Sequence, residues 1–234
     1  MSARTYDQHC GLAAALDVLG ERWTLLVFRE LMLGPKRYSE LLERLPGIGT
    51  NLLAARLKTL EAAGVVRRAD GAAYALTPRG EELRPAIDVL ARWGYALLPE
   101  QPQATSVRAA WGALTMRAEL EASGGAGVTG IVDFDVDGER FWLRADGDRA
   151  DVRDGPAPVR ADVTVRCDLP TFAALPTGIP DTREAISSGA LELEGDRRLL
   201  ERLLRRFRLP AHTAGSGGRL DEGATSSETG PRRA

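Results

Sequence analysis

Histidine and cysteine are scarce in this chain, with two of each among 234 residues. Cys10 and Cys167 do not make a disulfide framework, and a reducing, cytoplasmic compartment suits such a sequence. His9 stands beside Cys10, and His212 falls near the end of the chain. That leaves no ligand set for zinc and no Ser-His or Cys-His nucleophile. No catalytic residue, metal or cofactor is therefore expected. Long apolar runs are also missing. Nothing approaches the roughly 18 residues that a membrane span requires. The opening "MSARTYDQHCG" lacks the apolar core of a signal peptide, so export is not expected. Charge of one sign is absent too, since 31 Lys+Arg stand against 33 Asp+Glu. Residues 1–100 hold 13 basic and 12 acidic residues, a balance of +1. Any nucleic acid must then be held by a local patch, not by bulk charge.

What is present suits one large or two ordinary folded domains. Leu12, Leu16 and Leu19 recur at helical spacing before Gly20, and Trp23, Leu26, Val27, Leu31 and Leu33 continue the pattern to Gly34. A short helix is expected from Tyr38 to Leu45, stopped by Pro46-Gly47. Leu53, Leu57 and Leu60 mark the buried face of a helix over Thr50–Ala63, ended by Gly64. "VVRRADGAAYAL" reads as a hairpin, with Asp70-Gly71 supplying the positive φ angles of its turn. Thr77-Pro78 caps a further helix, kinked at Pro85 and running to Leu98. This mainly helical domain is expected to span 1–98, followed by a linker over 99–105.

The second domain, 106–210, has α+β character. A helix over Ser106–Ala122 precedes the alternating "IVDFDVDGERFWLRADGDRADVRDG", in which Val132, Phe134 and Val136 face one way and Asp133, Asp135 and Asp137 the other. Strands "ADVTVRC" and "ALELEG" and helices around "LPTFAALPTG", "DTREAISSG" and "DRRLLERLLRRF" complete it. The remainder, 211–234, is polar and expected to be disordered. Two motifs fail on context. "GAGVTG" follows a helix and precedes a strand, the reverse of a dinucleotide site. "DFDVDG" begins like a calcium loop, but its twelfth position is Arg144 where an acid is needed.

A helix–turn–helix followed by a hairpin is the winged form of a DNA-binding motif. Such a motif needs a slim second helix, polar donors at its N-terminal end and nearby cations for phosphate. With the leucines buried, Asn51, Ala54, Ala55 and Lys58 lie on the opposite face, and Arg56 at its edge. Lys36 and Arg37 start the preceding helix, and Arg67 and Arg68 sit on the first strand of the hairpin. Taken one at a time, each of these features also describes an ordinary solvated surface. Their order and spacing together favour DNA.

Residues 8–98 resemble the HxlR-type winged-helix regulators, related to the MarR group. The resemblance is carried by Cys10, "LGERWTLLVFRELMLGPKRYSEL", "LPGIG", "LLAARLKTLEAAGVVRR" and "YALTPRGEELRPAIDVLARWG". It implies a homodimeric transcription regulator on double-stranded DNA, with the terminal helices of the domain forming the dimer interface. It places Asn51, Ala54, Ala55, Arg56 and Lys58 on or beside the DNA face. One departure is Gly49, where the family usually has a Ser or Thr cap, and Thr50 is expected to take over part of that role. Some members sense oxidants or electrophiles at the position of Cys10. A helix start and the neighbouring His9 favour a thiolate there, while a small apolar contact in the dimer core is the blander alternative.

Residues 106–208 resemble the sterol-carrier-protein-like fold, a sheet covered by helices, in the order strand, short helix, helix ending in Ser-Gly, strand, Gly-Asp and final helix. That resemblance implies an apolar pocket between sheet and helices and a lipid-like or other apolar effector. Candidate lining residues are Trp111, Phe134, Phe141, Trp142, Phe172, Leu175, Ile186, Leu200, Leu203, Leu204 and Phe207. The same residues would equally serve to fill a core. Arg197, Arg198, Arg202, Arg205 and Arg206 give the last helix a polar side suited to anionic lipid, nucleic acid or plain solvent. The expectation is a dimeric cytoplasmic regulator reading a two-fold operator under control of an apolar effector. The alternatives are a thiol sensor acting through Cys10, and a lipid carrier whose winged helix binds protein and not DNA.

Overall fold

Apolar residues spaced three and four apart build the first half of the chain. The computed structural model describes residues 5–95, 97–98, 107–124, 127–178 and 181–206. The expected linker (99–105) and tail (211–234) lie outside them. Helices α1 (Gly11–Leu19), α2 (Thr24–Met32), α3 (Tyr38–Arg44) and α4 (Thr50–Ala62) lead to a wing of two strands, β1 (Val66–Arg68) and β2 (Tyr74–Leu76). Then come α5 (Pro78–Glu81) and α6 (Arg84–Tyr95). Val27, Phe28 and Leu31 of α2, Leu41 of α3, and Leu53, Leu57 and Leu60 of α4 form the core, none more than 1% exposed.

The Thr77 hydroxyl accepts from the Gly80 amide at 3.1 Å and donates to the Gly64 carbonyl at 2.6 Å. One side chain thus caps α5 and ties it to the end of α4. The helix expected from Pro78 onward is broken between α5 and α6. Pro85 has no N–H to offer the Glu81 carbonyl, so the ladder cannot continue there.

The wing differs from the tight Asp70-Gly71 turn read from the sequence. Its ladder runs from Val66↔Leu76 to Arg68↔Tyr74, and a 3-10 turn over Asp70–Ala72 closes it. The left-handed pair is Gly71 (φ 67°) and Ala72 (φ 61°), one residue later than expected.

In the second half, α7 (Ala109–Ala122) precedes the strands β3 (Thr129–Val136), β4 (Glu139–Asp146), β5 (Arg149–Asp154) and β6 (Val163–Cys167). Helices α8 (Leu169–Ala174) and α9 (Thr182–Ser187), strand β7 (Leu191–Gly195) and helix α10 (Arg197–Arg206) follow. The sheet order is β5-β4-β3-β6-β7, with β3 and β6 parallel and every other pair antiparallel. Period-two alternation puts Val132, Phe134, Val136, Phe141 and Leu143 in the core. Asp137 (φ 51°) and Gly138 (φ 83°) form the β3–β4 turn, as their sequence predicts. Gly195 (φ 103°) lies so near β6 that a Cβ would stand 2.1 Å from the Asp162 carbonyl oxygen. Only glycine fits that approach.

The chain therefore consists of a winged helix-turn-helix followed by an α+β sheet covered by helices. The two halves meet along a charged seam. Arg117, 2% exposed on α7, is held between Asp88 of α6 and Glu121, at 2.5 and 2.7 Å. Arg92 of α6 pairs with Glu119 of α7 at 2.7 Å. Among the described residues, no helix is long and apolar enough to cross a membrane.

Candidate nucleic-acid interface

Burying the leucines of α4 turns its other face outward. Thr50, Asn51, Ala54, Ala55 and Lys58 are all exposed there. The two alanines keep that face slim, so the backbone can approach the edges of base pairs in a major groove about 12 Å wide. Gly49 caps α4 in an extended conformation, and no side-chain hydrogen bond closes the first turn. The capping role expected of Thr50 is thus not taken. Its carbonyl instead accepts from the Tyr38 hydroxyl at 2.6 Å, which fixes the start of α4 to the start of α3. Open amides at such a helix start suit phosphate.

Cations flank this face on two sides. Arg37, exposed, precedes α3, and its guanidinium lies beside Gly71 of the wing. Arg67 on β1 is exposed. Arg68 lies 3.9 Å above the Tyr74 ring and pairs with Glu61 of α4 at 3.1 Å, so it also braces the wing against the helix. Arg56 is drawn to the edge by Glu21, 3.2 Å away.

Lys36 does not belong to this group. It is 3% exposed, and its ammonium donates to the Gly34 carbonyl at 3.1 Å and pairs with Asp154 of β5 at 3.0 Å. The reason is local. Residue 36 forms a β-bridge to Tyr74, so Lys36 and Arg37 project to opposite sides of an extended segment. Burial pushes the Lys36 ammonium down from its ordinary pKa, and the Asp154 carboxylate pulls it back.

The expected lipid-pocket residues separate as well. Phe134 stacks on Phe141 with centroids 5.0 Å apart, and Phe172 meets both edge-on at 5.7 and 5.6 Å. Leu175, Leu200, Leu203 and Leu204 are buried, and Ile186 packs against the same core. Trp142, next to the buried Phe141 on β4, points to the opposite face of the sheet and is not part of that core. Trp111 is turned toward the first domain, where its indole N–H donates to Glu30 at 2.9 Å. Phe207 lies outside the described residues.

A different concavity opens at the seam. Leu25, Leu26 and Met32 of α2, Ile87, Leu90 and Tyr95 of α6, and Trp111, Leu114 and Ala118 of α7 line a groove of about 500 Å³. Arg29, Asp88, Arg92 and Glu119 supply its charged groups. Elsewhere on the first half, apolar side chains face outward: Leu12 and Leu16 of α1 are 69% and 38% exposed, and Val89 and Trp93 of α6 are 65% and 69% exposed.

The two thiols differ. Cys10 is exposed at the start of α1, and the amides of Ala13 and Leu12 lower its pKa. Burial, and then the charges of Asp168 and Asp137, push Cys167 up to about 11. Tyr38, Glu30, Arg44 and Asp154 escaped the sequence reading. Glu30 left a trace, since it stands among Val27, Phe28 and Leu31 on the inward side of α2 and is 0% exposed.

Residues 18–102 match the HxlR-like helix-turn-helix family, and residues 114–207 match the SCP-2 sterol transfer family. An uncharacterized HTH-type transcriptional regulator of Synechocystis sp. (strain ATCC 27184 / PCC 6803 / Kazusa), sll1512, is 34% identical over 98 residues, covering 39% of this chain and 73% of that protein. YkvN of Bacillus subtilis (strain 168), likewise an uncharacterized HTH-type transcriptional regulator, is 38% identical over 91 residues, covering 36% of this chain and 77% of its own. The crystal structure of quinone-bound YodB from B. subtilis has 37% identity and a TM-score of 0.35, and covers 36% of this chain and 96% of that one. The relatives bear the names of transcriptional regulators, not of enzymes.

Proposed function

Because the chain belongs to the HxlR-like helix-turn-helix family of transcriptional regulators, we propose that residues 1–98 read a two-fold DNA operator as a homodimer. Residues 106–210, joined through 99–105, adjust that reading when an apolar small molecule binds. The observation that carries the proposal is the exposed Asn51-Ala54-Ala55-Lys58 face of α4, flanked by Arg37 and by Arg67 of the wing. Asn51 pairs with a base edge, Lys58 with guanine or phosphate, and the arginines with the backbone. The outward leucines of α1 and the outward Val89 and Trp93 of α6 support a dimer built on these two helices. The effector seat that the side chains favour is the seam groove, because Phe134, Phe141 and Phe172 occupy one another's space in the sheet domain.

The test is binding of the purified protein to the DNA upstream of its own gene, beside scrambled DNA, across a salt series. Sequence-preferring binding whose log K falls linearly with log salt is the expected result. No binding even at low salt would favour a lipid carrier whose winged helix serves protein contacts.

A second reading rests on Cys10. Its exposed thiol has a lowered pKa, and quinone-bound YodB belongs to a sequence relative 35% identical over 88 residues. In this reading an electrophile alkylates Cys10 and changes DNA affinity. An unchanged response of Cys10→Ala to quinone or oxidant would remove it.

A further inference from the structure

One carboxylate of the second domain grips both ends of one helix of the first. Asp154 is the last residue of β5, and its Oδ2 lies 2.7 Å from Arg44 and 3.0 Å from Lys36. Arg44 is the last residue of α3, and Lys36 stands just ahead of its cap, Arg37. The Asp154 amide also donates to the Leu33 carbonyl at 2.9 Å, at the turn leading into α3. The grip is largely shielded from water: the side chains of Lys36, Asp154 and Arg44 are 4%, 13% and 19% exposed. Glu30 approaches Arg44 from α2 at 3.7 Å with its side chain fully buried. Removing one member of such a set leaves a charge without its counter-ion in poor solvent, so the geometry is strongly enforced.

What Asp154 holds is the mount of the DNA-facing elements. Tyr38, first in α3, bonds the start of α4. Lys36 exchanges two backbone hydrogen bonds with Tyr74 of the wing, at 2.9 and 2.7 Å. The Tyr74 ring lies under Arg68, which pairs with Glu61 of α4. Contacts therefore run without a gap from the sheet domain to the wing and to α4.

We propose that Asp154 is a positioning residue, through which the second domain sets the placement of α3, and with it α4 and the wing. Its consequence for DNA rests on the reading of α4 given above, while the positioning itself can be measured without DNA.

The experiment is hydrogen exchange on the full chain, followed by mass spectrometry of its peptides. Asp154→Asn preserves shape and removes the charge. Peptides containing Lys36, Leu41, Leu45 and Tyr74 should exchange about tenfold faster, the β3–β4 ladder should keep its wild-type rate, and Asp154→Glu should restore most of the protection. Wild-type protection around α3 and the wing in Asp154→Asn would overturn the proposal. Faster exchange spread evenly over β3 and β4 would also overturn it, because that marks a general loss of stability. Should Asp154→Asn fail to fold, Lys36→Gln and Arg44→Gln test each end separately. The first should loosen the wing and the second Leu41 and Leu45, and the same diffuse change from both would count against the idea. On DNA that the wild type binds, Asp154→Asn should weaken affinity about tenfold with an unchanged salt slope, since no phosphate contact is lost. Unchanged affinity would remove the consequence for DNA reading. A wild type that binds no DNA, with end-specific loosening intact, would sink the DNA reading and leave the positioning role standing.

Discussion

The indole N–H of Trp111, on the first helix of the second domain, donates to Oε1 of Glu30 in the first domain at 2.9 Å. Arg29 covers the same ring, its guanidinium carbon 3.7 Å from the centroid, and pairs with the same carboxylate oxygen at 2.9 Å. Burial pushes Arg29 down from its ordinary pKa, and Glu30 opposes that shift. Trp111→Phe keeps a ring beneath Arg29 but takes one donor from a fully buried carboxylate. A loss of about 1–3 kcal/mol is expected, seen as a lower urea midpoint with an unchanged m-value.

The proposed DNA face predicts that one lysine behaves unlike the other cations. Lys58→Ala and Arg67→Ala should each weaken binding and reduce the magnitude of the salt slope by about 1. Asn51→Ala should relax base preference at one position, at a cost of about 1–3 kcal/mol. Lys36→Ala should leave the slope alone and lower stability instead, because its ammonium faces Asp154 and not solvent. Titrations over a salt series, paired with urea melts, separate the two behaviours. A fall in slope with Lys36→Ala would contradict the burial argument.

The proposed dimer, built on the outward apolar stripes of α1 and α6, predicts that a charge there is costly. Trp93→Glu and Leu16→Glu should each raise the dimer dissociation constant by about thirtyfold or more, as expected for anchors worth at least about 2 kcal/mol. Sedimentation velocity over a concentration series measures this. Leu53→Glu is not an equivalent test, because Leu53 is fully buried in the protomer and its replacement unfolds it.

Local pattern explains why much of this was legible in the sequence. The spacing of Leu53, Leu57 and Leu60 dictates the inner face of α4, and so exposes Asn51, Ala54, Ala55 and Lys58. Alternation sets Phe134 inward on β3, and Thr77-Pro78 starts α5 as its cap demands. What stayed hidden depends on partners far apart in the chain. Lys36 reads as a surface cation until Asp154, on a strand of the other domain, comes within 3.0 Å. Trp111 reads as a pocket aromatic until its N–H finds Glu30. The outward leucines of α1 follow the same periodicity as a core helix, and periodicity alone cannot tell an inward face from an outward one.

The thiols give a prediction whose direction follows from their surroundings. At the exposed start of α1, the amides of Ala13 and Leu12 stabilise the Cys10 thiolate and lower its pKa. Cys10 should therefore react with iodoacetamide with a pH midpoint below that of an ordinary thiol. Cys167 is pushed up to about 11, first by burial and then by Asp168 and Asp137. At about pH 8 only about one thiol in a thousand is ionised at that pKa. Peptide mass spectrometry after brief alkylation at neutral pH should find Cys10 modified and Cys167 free, and equal labelling of the two would refute the assignment. The raised Cys167 value also carries a sign for stability. Its thiol ionises more readily in the unfolded chain, near 9.0, than in the fold, at about 11. The stabilising contribution is complete below about 9 and is lost as the pH climbs toward 11. A Cys167→Ala variant should lose this alkaline dependence in urea melts, while Cys10→Ala should retain it.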